Sequence, residues 1–116
     1  MKFGPYVRRA REELLASGRP LSLRSVAETI GVHPTYLSKI ERGEIPPPAE
    51  AVIVKLAVEL DEDPDFLLAL GGKVSEDILE IIRTHPKAFA AHIRALRELP
   101  EEDIVRITLQ VRDGNW

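Results

Sequence analysis

No cysteine occurs among the 116 residues. This excludes a disulfide frame, a thiolate nucleophile and any Cys-based metal site, and it fits a reducing compartment. Long apolar runs are also missing, and nothing approaches the roughly 18 residues of a membrane span. The N-terminal stretch MKFGPYVRRAREELL places charges where a signal peptide needs its apolar segment, so a cytoplasmic location is expected. Aromatic residues make up only 5% of the chain against 44% apolar residues in all, which leaves the core to Leu, Ile, Val and Ala and favours helices packed on helices. No glycine-rich phosphate loop is present. Asp61, Asp63 and Asp65 resemble the start of a calcium loop, but Phe66 and Gly72 stand where that loop needs Gly and Glu. His85 and His92 lie seven residues apart across a proline, not at the i,i+4 spacing of a helical metal pair. No metal, no cofactor and no catalysis are expected.

The excess of one sign of charge is small, a formal net of −3, but the charge is unevenly placed. Residues 1–45 hold eight Lys/Arg and five Asp/Glu, whereas residues 46–116 hold eight and fourteen. A basic first part is the footprint expected of a nucleic-acid face, and the acidic remainder would point away from phosphate.

The basic part contains the most informative stretch, LSLRSVAETIGVHPTYLSKIERG, residues 21–43. Leu21, Val26, Ala27, Ile30, Val32, Leu37 and Ile40 recur at spacings that bury one face of each of two short helices. Gly31 sits where the first must stop, and His33 and Pro34 open the second, with Pro34 at a position that needs no backbone N–H. Thr35, Tyr36, Ser38, Lys39 and Arg42 fill the outer face. Two helices with a tight turn and an exposed polar second face form a helix-turn-helix, whose second helix fits a DNA major groove.

Around this stretch the spacing predicts further helices. The first covers residues 3–17 with Phe3, Tyr6, Val7, Ala10, Leu14 and Leu15 inward, and Gly18-Arg19-Pro20 breaks it. Ser22 caps the second. The third ends at Gly43, after which Pro46-Pro47-Pro48 hold the chain extended. The fourth covers about 48–60 with Ala51, Val52, Ile53, Leu56, Ala57 and Leu60 inward. Asp63 and Pro64 start the fifth, which carries Phe66, Leu67, Leu68 and Leu70 and ends at Gly71-Gly72. That glycine pair separates a domain of residues 1–72 from a segment of residues 73–116. In the segment, Ser75 caps a sixth helix carrying Ile78, Leu79, Ile81 and Ile82. His85-Pro86 precedes a seventh carrying Phe89, Ala90, Ile93, Leu96 and Leu99. Residues 104–112 alternate like a strand, but the acidic Glu101-Glu102-Asp103 start and the helical context favour a helix.

The run YLSKIERGE, with Val26-Ala27, Ile30-Gly31-Val32, Pro47 or Pro48, Leu56-Ala57 and Leu67-Leu68, makes residues 3–70 resemble the DNA-binding domain of the Cro/CI-type (XRE) helix-turn-helix regulators. The resemblance implies an all-α, five-helix lambda-repressor-like domain followed by a helical C-terminal extension. It also implies a sequence-specific transcriptional regulator, usually a homodimer on a two-fold operator in double-stranded DNA. Carried over by position, Pro34, Thr35, Ser38 and Lys39 face base edges. Ser22, Arg24, Tyr36, Arg42 and Arg19 are placed for phosphates. Glu41 forms a structural ion pair with Arg11. Two positions depart from the family pattern: Leu23 stands where a phosphate-clamping Gln is usual, and Pro34 replaces a common polar reader.

The apolar stripes of residues 73–116 need a partner surface, and dimerisation through 75–112 is the expectation. A second reading makes the chain an antitoxin-like or accessory regulator, a DNA binder whose C-terminal segment holds another protein. Operator, regulated genes and any inducer lie beyond the sequence.

Overall fold

The computed structural model describes residues 1–114. Among them it contains eight helices and no strand: α1 (Phe3–Ala16), α2 (Leu23–Ile30), α3 (Pro34–Glu41), α4 (Glu50–Glu59), α5 (Pro64–Leu70), α6 (Glu76–Thr84), α7 (Pro86–Leu96) and α8 (Glu101–Arg112). None of these helices is long and apolar enough to cross a membrane. The chain divides into two compact units, Met1–Glu76 and the part from Asp77 onward.

The ends of the helices follow from local chemistry. The Ser22 hydroxyl oxygen accepts the Ser25 N–H, and Asp63 Oδ1 accepts that of Asp65, each at 3.1 Å. These bonds satisfy donors that α2 and α5 would otherwise leave open. Gly31 closes α2 at φ 79°, a left-handed conformation that glycine adopts without steric cost, and Val32 N–H then reaches back to the Ala27 carbonyl at 2.9 Å.

The first unit owns the hydrophobic core. Val7 of α1, Val26 and Ala27 of α2, Leu37 of α3, Ile53 and Leu56 of α4, and Leu67 of α5 are fully buried. Leu15 and Ala51, expected to point inward, are exposed instead, and so is Phe66 of α5. At about 100° per residue, Leu15 falls one step past the stripe that Val7, Arg11 and Leu14 follow. Phe66 packs edge-on against Tyr6, with ring centroids 5.3 Å apart. The glycine pair expected to act as a boundary belongs to the first unit: Gly71 lies against the side chains of Phe3 and Ile53, where an added Cβ would sit 3.4 Å from each.

Tyr6 fastens α1 to the turn before α5. Its hydroxyl donates to the Glu62 carboxylate, and the Arg9 guanidinium sits 5.6 Å from the ring centroid. The bond to Glu62 holds the phenol above its ordinary pKa, assisted by burial. A raised folded-state value means that the contribution is complete below about pH 10 and is lost as pH rises through the folded value. Tyr6→Phe is expected to lower stability by about 1 kcal/mol at neutral pH. The gap to wild type should close above pH 10, as urea unfolding at both pH values would show; an unchanged gap would deny the bond this role.

The second unit buries no residue fully among those described. Ile78, Leu79, Ile82, Phe89, Leu96, Ile104 and Ile107 are half-covered, whereas Ile81, Ile93, Val105, Leu109 and Val111 are exposed. Leu99 lies beyond the end of α7 rather than within it. Residues 104–112 are helical. Ile104 and Ile107 share the covered side while Val105 and Leu109 do not, a period that alternation would not produce.

Candidate nucleic-acid interface

The outward face of α3 is built by what its inward face must do. Leu37, Ile40 and Glu41 are buried, so the helical period turns Thr35, Tyr36, Lys39 and Arg42 to solvent. Pro34 and Ser38 are half-buried at the edge of that face. The first turn of α3 is closed by an unusual cap: His33 Nδ1 accepts the Thr35 N–H at 3.1 Å. That bond requires the neutral imidazole to carry its proton on Nε2. In the sequence His33 stands out only as a helix opener, and a His directly before a Pro at a helix start is the one local sign of this cap.

Arg42 is the C-cap residue of α3. Its side chain is half-exposed, bonds the Ser38 carbonyl through Nε at 3.4 Å and pairs with Glu44 at 3.2 Å. An exposed pair of this kind is worth little and exchanges readily for a phosphate. Ser22 stands exposed at the start of α2 with Arg24 beside it. Because the Ser22 oxygen already accepts the Ser25 N–H, its hydroxyl proton and the earlier N–H groups of α2 are what remain for a phosphate. Arg19 is placed differently. Its guanidinium holds Asp61 at 2.7 Å, which ties the α1–α2 loop to the turn after α4.

Beneath the face lies the ion pair of Arg11 and Glu41. Arg11 Nε donates to Glu41 Oε2 at 2.8 Å and Nη2 to Oε1 at 2.9 Å, a bidentate fork. Nη1 reaches the Leu21 carbonyl at 3.3 Å, so a single side chain of α1 binds the end of α3 and the entry to α2. The hydrogen bonds that Arg11 donates to Glu41 raise the Arg11 pKa further, against the opposing effect of burial. No buried side-chain N or O lacks a partner among the described residues.

Arg8, which reads as a solvated residue of α1, lines one shallow hollow with Arg11, Leu23, Ser38, Glu41 and Arg42. It bonds Glu12 at 2.8 Å, which lowers the Glu12 pKa and raises its own. The hollow therefore sets two exposed guanidinium groups, Arg8 and Arg42, at the flank of α3. No cluster of three or more His, Asp or Glu able to hold a metal ion occurs among the described residues.

The arrangement offers hydroxyl, ammonium and guanidinium donors on a helix stiffened from below. A helix-turn-helix family model matches residues 19–67, which span α2 to α5 as far as Leu67. No curated protein and no solved structure matches the chain. Residues 19–67 are thus similar to the helix-turn-helix family, a likeness that supports DNA binding of the Cro/CI (XRE) kind by this part of the chain.

Proposed function

We propose that the protein is a repressor that binds a two-fold operator as a homodimer, with residues 1–72 on the DNA and residues 73–116 joining the copies. The observation that carries this reading is the division of α3 into a buried edge of Leu37, Ile40 and Glu41 and an exposed edge of Thr35, Tyr36 and Lys39. Inserted in the major groove, the exposed edge presents Lys39 to guanine O6 and N7, and Thr35 and Ser38 to either acceptor or methyl. Pro34 contributes an apolar contact only. Ser22, Arg24, Tyr36 and Arg42 hold phosphates and set register without reading sequence, and Arg19 joins them by releasing Asp61. Two such helices would lie about 34 Å apart, one turn of DNA. The work is cytoplasmic, where the DNA is.

Lys39→Ala is expected to relax base preference by about 1–3 kcal/mol at the position it reads, whereas Arg42→Ala weakens binding to all sequences alike and lowers the salt slope by about one. Binding measured on an operator selected from random DNA, on its single-base variants and on unrelated duplex separates the two. Equal losses on every sequence from Lys39→Ala would remove it from the base-reading set.

The exposed apolar side chains of the second unit also favour another reading, an antitoxin-like or accessory regulator whose C-terminal segment holds a different protein. A purified chain that stays monomeric at high concentration would select it.

A further inference from the structure

We propose that α8 is the seam of the homodimer, two copies of it packed antiparallel about a two-fold axis in a single register. This rests on the homodimer reading above and specifies where and how the copies meet. On α8, Glu102, Val105, Leu109 and Arg112 follow one another at spacings of three, four and three residues, which places them on one stripe of the helix. Val105 is 51% exposed and Leu109 41% exposed, although apolar neighbours on the other side, Ile104 and Ile107, are partly covered. The stripe is thus an apolar centre with no cover, an acid at one end and a base at the other.

That order is self-complementary. An isologous contact pairs position i with position j and j with i. Centred midway between Val105 and Leu109, it sets Val105 on Leu109 of the partner subunit and, in the same register, Glu102 on Arg112 of the partner subunit. Both pairs occur twice. A parallel arrangement would instead set Glu102 against its own copy and Arg112 against its own copy. Antiparallel packing also brings the acidic first turn, Glu101 to Asp103, toward the partner's C-terminal end, which carries a basic residue. Arg112 is free to take part, because its present bond is an exposed one of 3.2 Å to Asp113. Asp103 bonds Arg106 at 3.0 Å off the stripe and does not compete. Four aliphatic side chains make a small seam, so association is expected in the micromolar range in free solution, tightened on DNA, where both copies are tethered to one operator.

The test is sedimentation equilibrium of the full chain at low salt for wild type, Glu102→Arg, Arg112→Glu and a one-to-one mixture of the two variants. Circular dichroism checks that helix content is kept. Each single variant turns two attractive pairs into two repulsive ones and should weaken self-association roughly tenfold. In the mixture, each variant meets its opposite charge at both ends, so a heterodimer of about wild-type affinity should form. A wild-type chain that stays monomeric at several hundred micromolar overturns the homodimer reading and this one together. A wild-type dimer that the single variants leave unchanged overturns the antiparallel α8 seam alone. Single variants that weaken the dimer without recovery on mixing overturn the antiparallel register.

Discussion

Arg11→Ala is expected to cost about 3–5 kcal/mol, enough to leave a domain of this size largely unfolded at ambient temperature. The reason is asymmetry. Two charges buried together are compensated by a bidentate fork, but removing the guanidinium leaves the Glu41 carboxylate 4% exposed with no cation and the Leu21 carbonyl without its donor. Arg11→Lys should recover only part of the loss, since an ammonium cannot bond both Glu41 oxygens and the carbonyl in one plane. The pair is not a source of net stability in itself. Replacing both partners, Arg11→Met with Glu41→Leu, should therefore be milder than either single change. It cannot be neutral, because Leu21 still loses a hydrogen bond worth about 1 kcal/mol. Guanidinium unfolding of wild type, Arg11→Met, Glu41→Leu and the double variant forms a double-mutant cycle. A double variant no better than Arg11→Met would refute the view that the orphaned carboxylate dominates.

Gly4→Ala, the smallest side chain that can be added, is expected to destabilise by about 2–3 kcal/mol, at the upper end of overpacking effects. Ordinarily, Gly→Ala inside a helix stabilises it by about 0.5–1 kcal/mol. Here the new Cβ would sit 2.1 Å from the Ile40 carbonyl oxygen and 3.1 Å from that of Glu41, and both obstacles are backbone. Neither can turn aside as a side chain would. The start of α1 must withdraw from the end of α3, which also pulls Arg11 from Glu41 and shifts the base of α3. The variant should accordingly lose DNA affinity at temperatures where circular dichroism still shows it folded. A Gly4→Ala chain as stable as wild type and binding as tightly would show that α1 does not need this close approach.

These two positions were not equally legible. The pairing of Glu41 with Arg11 is implied by resemblance, through YLSKIERGE and an arginine of the first helix; the fork and its third bond to Leu21 belong to the structure. Gly4 carries no local sign at all. Next to Pro5 in a first turn it reads as tolerated, and only Ile40, far along the chain, makes it necessary. The same holds for Tyr6 with Glu62, separated by 56 residues, and for Arg19 with Asp61, separated by 42. His33 lies between: the cap is local, but an imidazole acceptor is a rare choice where Ser, Thr, Asp or Asn is usual.

The sequence by itself determined the helices, their order and the kind of module they form. Helix starts, stops and stripes depend on residues within a turn or two: Ser22, Gly31, Pro34, Gly43, Asp63 and Pro64 act on neighbouring backbone groups, whatever lies across the core. The tertiary structure decided which of several apolar stripes found cover. Leu15, Ala51 and Phe66 match their helical stripes nearly as well as their buried neighbours do, and they remain outside because the single core of the first unit is already filled by residues one step away on the same helices. Across the second unit the balance reverses. Residues 104–112 could alternate as a strand in isolation, and their covering on the Ile104–Ile107 side places them in α8, with Val105 and Leu109 left facing out. Periodicity states that a face is apolar; only packing states what it meets.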